Sequence, residues 1–242
     1  MTNASPASET SLTPGLTPGL IDHTLLKPEA TEQDIQKLCA DADHMGFATV
    51  CVQPIWVRKA SELLRNSKTR PITVVGFPTG ASTSASKAFE ATEAVRNGAA
   101  EIDMVLAVGT LKSGNLAGTE DDIRAVVQAV PGIPVKVILE TCLLTDAEKV
   151  SACRAAQKAG AAFVKTSTGF STGGATVEDI RLMRQTVGPS MGVKASGGIR
   201  TREDALRMIE AGANRIGASA GLSFFGPGAS GAPQKPSPTS LY

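Results

Sequence analysis

The chain has 242 residues, 42% hydrophobic and 19% charged, with 24 basic against 23 acidic side chains and a formal net charge of +1. That balance suits a globular protein and excludes nucleic-acid partners, which call for a basic surface interleaved with aromatics; here aromatics are 4%, with one Trp, Trp56, and one Tyr, the terminal Tyr242. No apolar stretch approaches the roughly 20 residues of a membrane span, and residues 1–18 carry no basic or apolar block of a signal peptide, so a cytoplasmic chain without a membrane partner is expected.

In chain order, residues 1–18 form a Ser/Thr/Pro run with a tandem TPGL, expected to be a disordered tail. The folded domain is placed at 19–225, and residues 226–242, rich in Gly, Pro and Ser, at a flexible tail ending in Tyr242. Within the domain, β-branched runs predict strands at 20–23, 48–53, 72–77, 101–106, 135–141, 163–167, 193–196 and 215–219. Between them, Ile35, Leu38, Cys39, Ala42 and Met45 recur at helical spacing, as do Ile180, Met183 and Val187, each set forming one apolar stripe for packing on a sheet. Helix starts are marked by Thr followed three residues later by an acid, at Thr31/Asp34, Thr119/Asp122, Thr145/Glu148, Thr176/Asp179 and Thr201/Asp204, with only Thr145/Glu148 matching the full capping-box pattern. Helix ends are marked by Gly46, Gly98, Gly160 and Gly212. Eight units of about 26 residues each predict an α/β fold, a single (β/α)8 TIM barrel. The rival, a doubly wound open sheet, usually has fewer strands and often a Gly-rich fingerprint after the first, where this chain has Asp22-His23-Thr24.

Function in such a barrel gathers at the C-terminal ends of the strands, so charged residues inside strand runs mark the chemistry. They are Asp22, Glu101, Asp103, Lys136, Glu140, Lys165 and Lys194. Two lysines share a local pattern, V-K-x-S-x-G, in Val164-Lys165-Thr166-Ser167-Thr168-Gly169 and Val193-Lys194-Ala195-Ser196-Gly197-Gly198, one strand-helix unit apart. Equivalent positions on adjacent strands put the two ammonium groups close together. At about 6 Å and an effective dielectric of ~20 they repel by roughly 2.8 kcal/mol, about 2 pK units, and burial adds to this. One lysine then becomes neutral near pH 7 and nucleophilic toward carbonyl carbon, which points to Schiff-base chemistry. The plainer alternative is a lysine neutralised by a strand carboxylate, as expected for Lys136 and Glu140 on one face of their strand. Asp103, set among apolar residues in Glu101-Ile102-Asp103-Met104-Val105, fits either a proton donor and acceptor or an ion pair with a buried lysine. The Gly-rich segments Gly197-Gly198 and Gly217-Ala218-Ser219, after the last two strands, fit backbone phosphate binding and so a small phosphorylated substrate. Cys39, Cys51, Cys142 and Cys153 form no CxxC pair and are expected as buried thiols of a reducing compartment, and two histidines, His23 and His44, are too few for a multi-histidine metal site.

These segments, with Leu20-Ile21-Asp22-His23-Thr24-Leu25-Leu26-Lys27-Pro28, Ala48-Thr49-Val50-Cys51-Val52 and Val135-Lys136-Val137-Ile138-Leu139-Glu140-Thr141, make the chain closely similar to the deoxyribose-phosphate aldolases, class I aldolases with a barrel fold. The resemblance spans residues 20 to about 221. It implies reversible cleavage of 2-deoxy-D-ribose 5-phosphate to D-glyceraldehyde 3-phosphate and acetaldehyde, in deoxyribonucleoside and carbohydrate catabolism, without a metal or other cofactor. It assigns Lys165 as the Schiff-base nucleophile, Lys194 as the lysine that lowers its pKa and helps move protons, and Asp103 as proton donor and acceptor. Phosphate contacts carry over to the backbone at Gly169, Gly197, Gly198 and Gly217 and to Ser219, with Asp22 and Thr166 in support. The chain departs from some members at Phe170, where they have Lys, and at Ala220, where they have Ser. In members ending in Tyr the tail brings the phenol to the site, which would make Tyr242 a proton-transfer group. His23 and Cys51 are expected as packing or hydrogen-bonding residues of the first two strands. Partners are then small phosphorylated sugars and aldehydes, and the family's frequent dimers make a homodimer the expected assembly. A transaldolase-like enzyme and a barrel that only binds ligand are the competing functions; EIDMV and the paired lysine motifs disfavour the first, and the presence of Asp103, Lys165 and Lys194 together the second.

Overall fold

A computed structural model describes residues 15–225, so residues 1–14 of the expected N-terminal tail and the expected C-terminal tail 226–242, Tyr242 among them, lie outside the described residues. Eight parallel strands close on themselves in sequence order: β1 (Ile21–Leu25), β2 (Thr49–Val52), β3 (Arg70–Val75), β4 (Ile102–Val105), β5 (Val135–Ile138), β6 (Phe163–Lys165), β7 (Gly192–Ser196) and β8 (Arg215–Ala218). Around them run α1 (Glu32–Met45), α2 (Val57–Leu63), α3 (Ser84–Arg96), α4 (Val108–Lys112), α5 (Leu116–Ala129), α6 (Asp146–Lys158), α7 (Val177–Val187) and α8 (Arg202–Glu210). The TIM barrel expected from the eight-unit count is the fold. Among the described residues no helix is long and apolar enough to cross a membrane.

Local chemistry explains most of the boundaries. Thr31, Thr145, Thr176 and Thr201 each accept a hydrogen bond at an N-cap, and three of them form reciprocal capping boxes, with Asp34 and Asp204 closing the box as well as Glu148. The expected start at Thr119 is wrong. Asn115 caps α5 one turn earlier, Thr119 is buried inside that helix, and Asp122 accepts instead from Lys87 (2.6 Å) and Ser84. That buried Lys87–Asp122 pair ties α3 to α5, and the Lys87 ammonium also donates to the Val105 carbonyl at 3.0 Å.

The main core lies between barrel and helices, where outward strand residues such as Ile21, Val50, Ile102, Val137, Val164 and Ile216 meet the helical stripes, Ile35, Leu38 and Ile180 among them. Inside the barrel a smaller apolar cluster, Leu26, Cys51, Ile72 and Val74 with Phe77 against it, fills the β2–β3 side. The opposite side is charged. Cys39, Cys51 and Cys153 are buried as expected, but Cys142, in the loop after β5, is exposed.

His23 faces the outer core from β1, with its ring centroid 5.3 Å from that of Phe47 and no side-chain partner for Nδ1. Burial lowers its pKa, so in the native state it stays neutral where an unfolded histidine takes up a proton. Stability carried by His23 is therefore complete above pH ~6.5 and lost as the pH falls below that. Urea midpoints of wild type and His23→Gln are expected to converge between pH 7.5 and 5.5; a pH-independent gap would show that His23 does not titrate on unfolding.

Candidate active site

The register of the barrel sets Lys165 directly beside Lys194 across β6–β7, and Asp103 beside Lys136 across β4–β5. Because side chains alternate along a strand, all four point into the barrel, where Asp22 joins them from β1 and Arg215 from β8. The Lys165 and Lys194 ammonium groups both donate to the same oxygen of Asp103, Oδ2, at 2.9 and 2.7 Å, while Lys136 donates to Oδ1 at 2.8 Å. Lys194 also pairs with Asp22 Oδ2 at 2.5 Å. Asp22 Oδ1 in turn accepts from Arg215 (2.8 Å) and from Thr49 (2.7 Å), and Glu101 pairs with Lys136 and Arg215.

Charge counting shows what this cage favours. With Lys165 set aside, three cations (Lys136, Lys194, Arg215) face three carboxylates (Asp22, Glu101, Asp103), so the network is balanced when the Lys165 amine is neutral. The titration directions agree. Burial lowers the Lys165 pKa; Asp103 opposes this and Lys194 reinforces it. Burial also penalises charge on Lys194, but Asp103 and Asp22 outweigh it and hold that lysine above the ordinary range. On Asp103 burial acts upward, and the three lysines overcome it, holding the carboxyl well below the ordinary range. Repulsion between two lysines is thus only part of the cause: burial acts first, and Asp103 bridges the pair.

Lys136 does not pair with Glu140, as its strand spacing suggests. The expected strand over 135–141 stops at Ile138, and Glu140 takes φ 56°, a left-handed turn that carries its carboxylate over to Thr168. Arg215 and Thr49 are the site residues that sequence reasoning missed, and Lys136 and Glu101, singled out as charged strand residues, lacked their true partners, because only the β1–β2, β4–β5 and β8–β1 registers bring these side chains to Asp22 and Asp103.

Above the lysines, toward the C-terminal mouth, Ser167 and Ser196 follow Lys165 and Lys194 by two residues on the same faces, and both buried hydroxyls lack a partner. Gly169, Gly197 and Gly198 all have positive φ, at 83°, 85° and 77°, in the loops that follow β6 and β7. A Cβ on Gly197 would come within 3.4 Å of Ser167 and 3.1 Å of Gly174, so the two loops pack closely, joined by a bond from the Ala175 N–H to the Gly197 carbonyl. Ser219 is exposed just after β8. Gly217, inside the strand expected over 215–219, offers no loop amide for phosphate. It lies within β8, where a Cβ would strike Ser196 Oγ at 2.3 Å and Lys194 Cε at 3.0 Å, so it clears space for the lysine stem. Thr166 stitches β6 to β7: its hydroxyl donates to the Ser196 carbonyl and accepts from the Ser196 N–H.

The family model for DeoC/LacD family aldolases matches residues 19–226. The deoxyribose-phosphate aldolase of Streptococcus sanguinis is 63% identical over 204 residues, covering 84% of this chain and 93% of that protein, and that of Brevibacillus brevis is 62% identical over the same length. Among solved structures, the tetrameric deoxyribose phosphate aldolase of Aeropyrum pernix superposes with a TM-score of 0.79 at 34% identity, covering 85% of this chain and 87% of that one.

Proposed function

The chain belongs to the DeoC/LacD aldolase family, and we propose that it reversibly cleaves 2-deoxy-D-ribose 5-phosphate to D-glyceraldehyde 3-phosphate and acetaldehyde, with Lys165 as the nucleophile. The observation that carries this reading is the cage of three cations against three carboxylates around the Lys165 amine. The neutral amine attacks C1 of the open-chain sugar to form a carbinolamine, which takes a proton from Lys194 and loses water to give a protonated imine, whose positive charge sits where Asp103 Oδ2 stands 2.9 Å from the lysine nitrogen. The iminium draws in the electron pair as the C2–C3 bond breaks and the C3 hydroxyl gives up its proton, releasing D-glyceraldehyde 3-phosphate and leaving a neutral enamine. Protonation at C2 and hydrolysis release acetaldehyde and restore the amine.

Lys194 and Asp103 handle protons as a pair. A carboxylate held this low by three ammonium groups is a weak base alone, so its part is to orient Lys194 and keep its charge in place. Asp22 and Thr166 support the pair from β1 and β6. The loop amides at Gly169, Gly197 and Gly198, with Ser219, are the proposed phosphate contacts, Gly217 acting by clearing space. Tyr242, outside the described residues, is proposed to exchange the C2 proton, and from the resemblance we further infer a homodimer in the cytoplasm.

Borohydride added with acetaldehyde is expected to fix a two-carbon adduct on Lys165, read by peptide mass spectrometry; an adduct on Lys136, or none, would overturn the assignment. In Lys194→Leu the repulsive neighbour is gone while Asp103 remains, so the Lys165 pKa rises. The ascending limb of kcat/KM against pH is then expected to move to higher pH, with turnover at pH 7 falling about a hundredfold. An unmoved limb would show that the two lysines are uncoupled.

A further inference from the structure

Glu140 is the one non-glycine residue with positive φ among the described residues, in a fold where such a conformation persists only if its surroundings hold it. Its buried carboxylate accepts the Thr168 N–H at 3.3 Å and the Thr168 hydroxyl. That same hydroxyl oxygen accepts the Phe170 N–H at 3.0 Å. Phe170 then reaches the ring of Phe77, edge to face, with centroids 5.1 Å apart and planes at 84°. These rings come from loops after β6 and β3, three strands apart in a closed barrel of eight, so they meet across its mouth. Phe77 rests on the interior cluster that includes Cys51, a residue within electrostatic reach of Lys165, and Lys165 itself is only 3% exposed. Phe170 is 42% exposed, so one side of its ring is open to an approaching molecule while its other contacts hold it against Phe77.

We propose that Glu140 is a positioning residue that, through Thr168, holds Phe170 against Phe77, and that this aromatic pair sets the size limit on the aldehyde approaching Lys165. The proposal rests on Lys165 carrying the imine. The rings roof the approach from the β3 and β6 sides, leaving the glycine loops after β6 and β7 as the open wall. A compact aldehyde passes beside the rings, whereas a bulky one has to part them, and parting them strains the loop that Glu140 anchors.

The test is acceptor selectivity in the addition of acetaldehyde, comparing kcat/KM for benzaldehyde with that for unphosphorylated D-glyceraldehyde. A general loss of structure lowers both and leaves their ratio alone. Phe170→Ala is expected to raise the benzaldehyde to glyceraldehyde ratio about tenfold, the scale of discrimination by apolar pockets. Thr168→Val and Glu140→Ala should raise it in the same direction, and Glu140→Gln, which keeps an oxygen acceptor for Thr168, should stay close to wild type. In the Phe170→Ala background neither Thr168→Val nor Glu140→Ala should raise it further, because the group they position is gone. A ratio unmoved by Phe170→Ala, or a rise from Thr168→Val that persists without Phe170, overturns the proposal. Should Glu140→Ala not fold, Thr168→Val carries the comparison. Borohydride trapping of the wild type is run first: no Lys165 adduct overturns the imine assignment, while an adduct with an unmoved ratio overturns the size limit alone.

Discussion

Lys165→Met is expected to abolish the borohydride-trapped adduct and to lower turnover of 2-deoxy-D-ribose 5-phosphate by at least about a thousandfold, with the fold intact. The side chain removed is buried and makes its one ion pair to Asp103 Oδ2, an oxygen that Lys194 continues to hold at 2.7 Å. With Lys165 excluded, the remaining three cations and three carboxylates stay matched, so methionine fills the volume without stranding a charge. Urea unfolding of this variant should therefore lie close to wild type or above it. Residual turnover within tenfold of wild type would move the nucleophile elsewhere, and Lys194 would be the next residue to trap.

Asp103→Asn is the opposite case. The carboxylate is fully buried and is the shared partner of three lysines, so losing its charge leaves Lys136 with Glu101 alone and Lys194 with Asp22 alone, unbalances the cage by one positive charge, and weakens the acceptor that Lys165 has at Oδ2. A loss of about 3–5 kcal/mol in stability at pH 7 is expected, the usual cost of uncompensating a buried charge. The sign of its pH dependence follows from proton counts. In the variant Lys165, already lowered by burial, also loses the Asp103 charge that opposes the shift, so the unfolded chain binds more protons and stability rises with pH. In the wild type, the lowered pKa of Asp103 contributes stability above pH ~3.9 that disappears as the carboxyl is protonated in acid. The gap between the two proteins should therefore narrow from pH 6 to pH 9 in denaturant titrations; a constant gap would mean that Asp103 acts through packing alone. Activity should fall with stability, since without the Asp103 charge Lys194 loses the group that orients it and keeps its charge in place.

Much of this was legible in the chain. Four of five Thr-acid signals mark helix starts, because an N-cap is satisfied within three residues of itself. Thr119 fails because Asn115 offers the same chemistry one turn earlier, and nothing in a spacing rule ranks two competing caps. The duplicated V-K-x-S-x-G segments foretold neighbouring lysines, and β6 and β7 pair Lys165 with Lys194 in register. Strand ends are less legible. The apolar run 135–141 continues past Ile138, yet the backbone turns left-handed at Glu140 to reach Thr168, a contact 28 residues away.

Periodicity, capping pairs and repeated motifs suffice to name eight strand-helix units, a barrel and two lysines of interest, since each depends on residues a few positions apart. The partners of those lysines depend on closure and stagger. Asp103 meets Lys194 across 91 positions, and Arg215 meets Asp22 across 193, because β8 pairs with β1. A local pattern holds no record of those registers, whereas the charge balance that favours a neutral amine at Lys165 is a sum over six other side chains that only the closed barrel assembles.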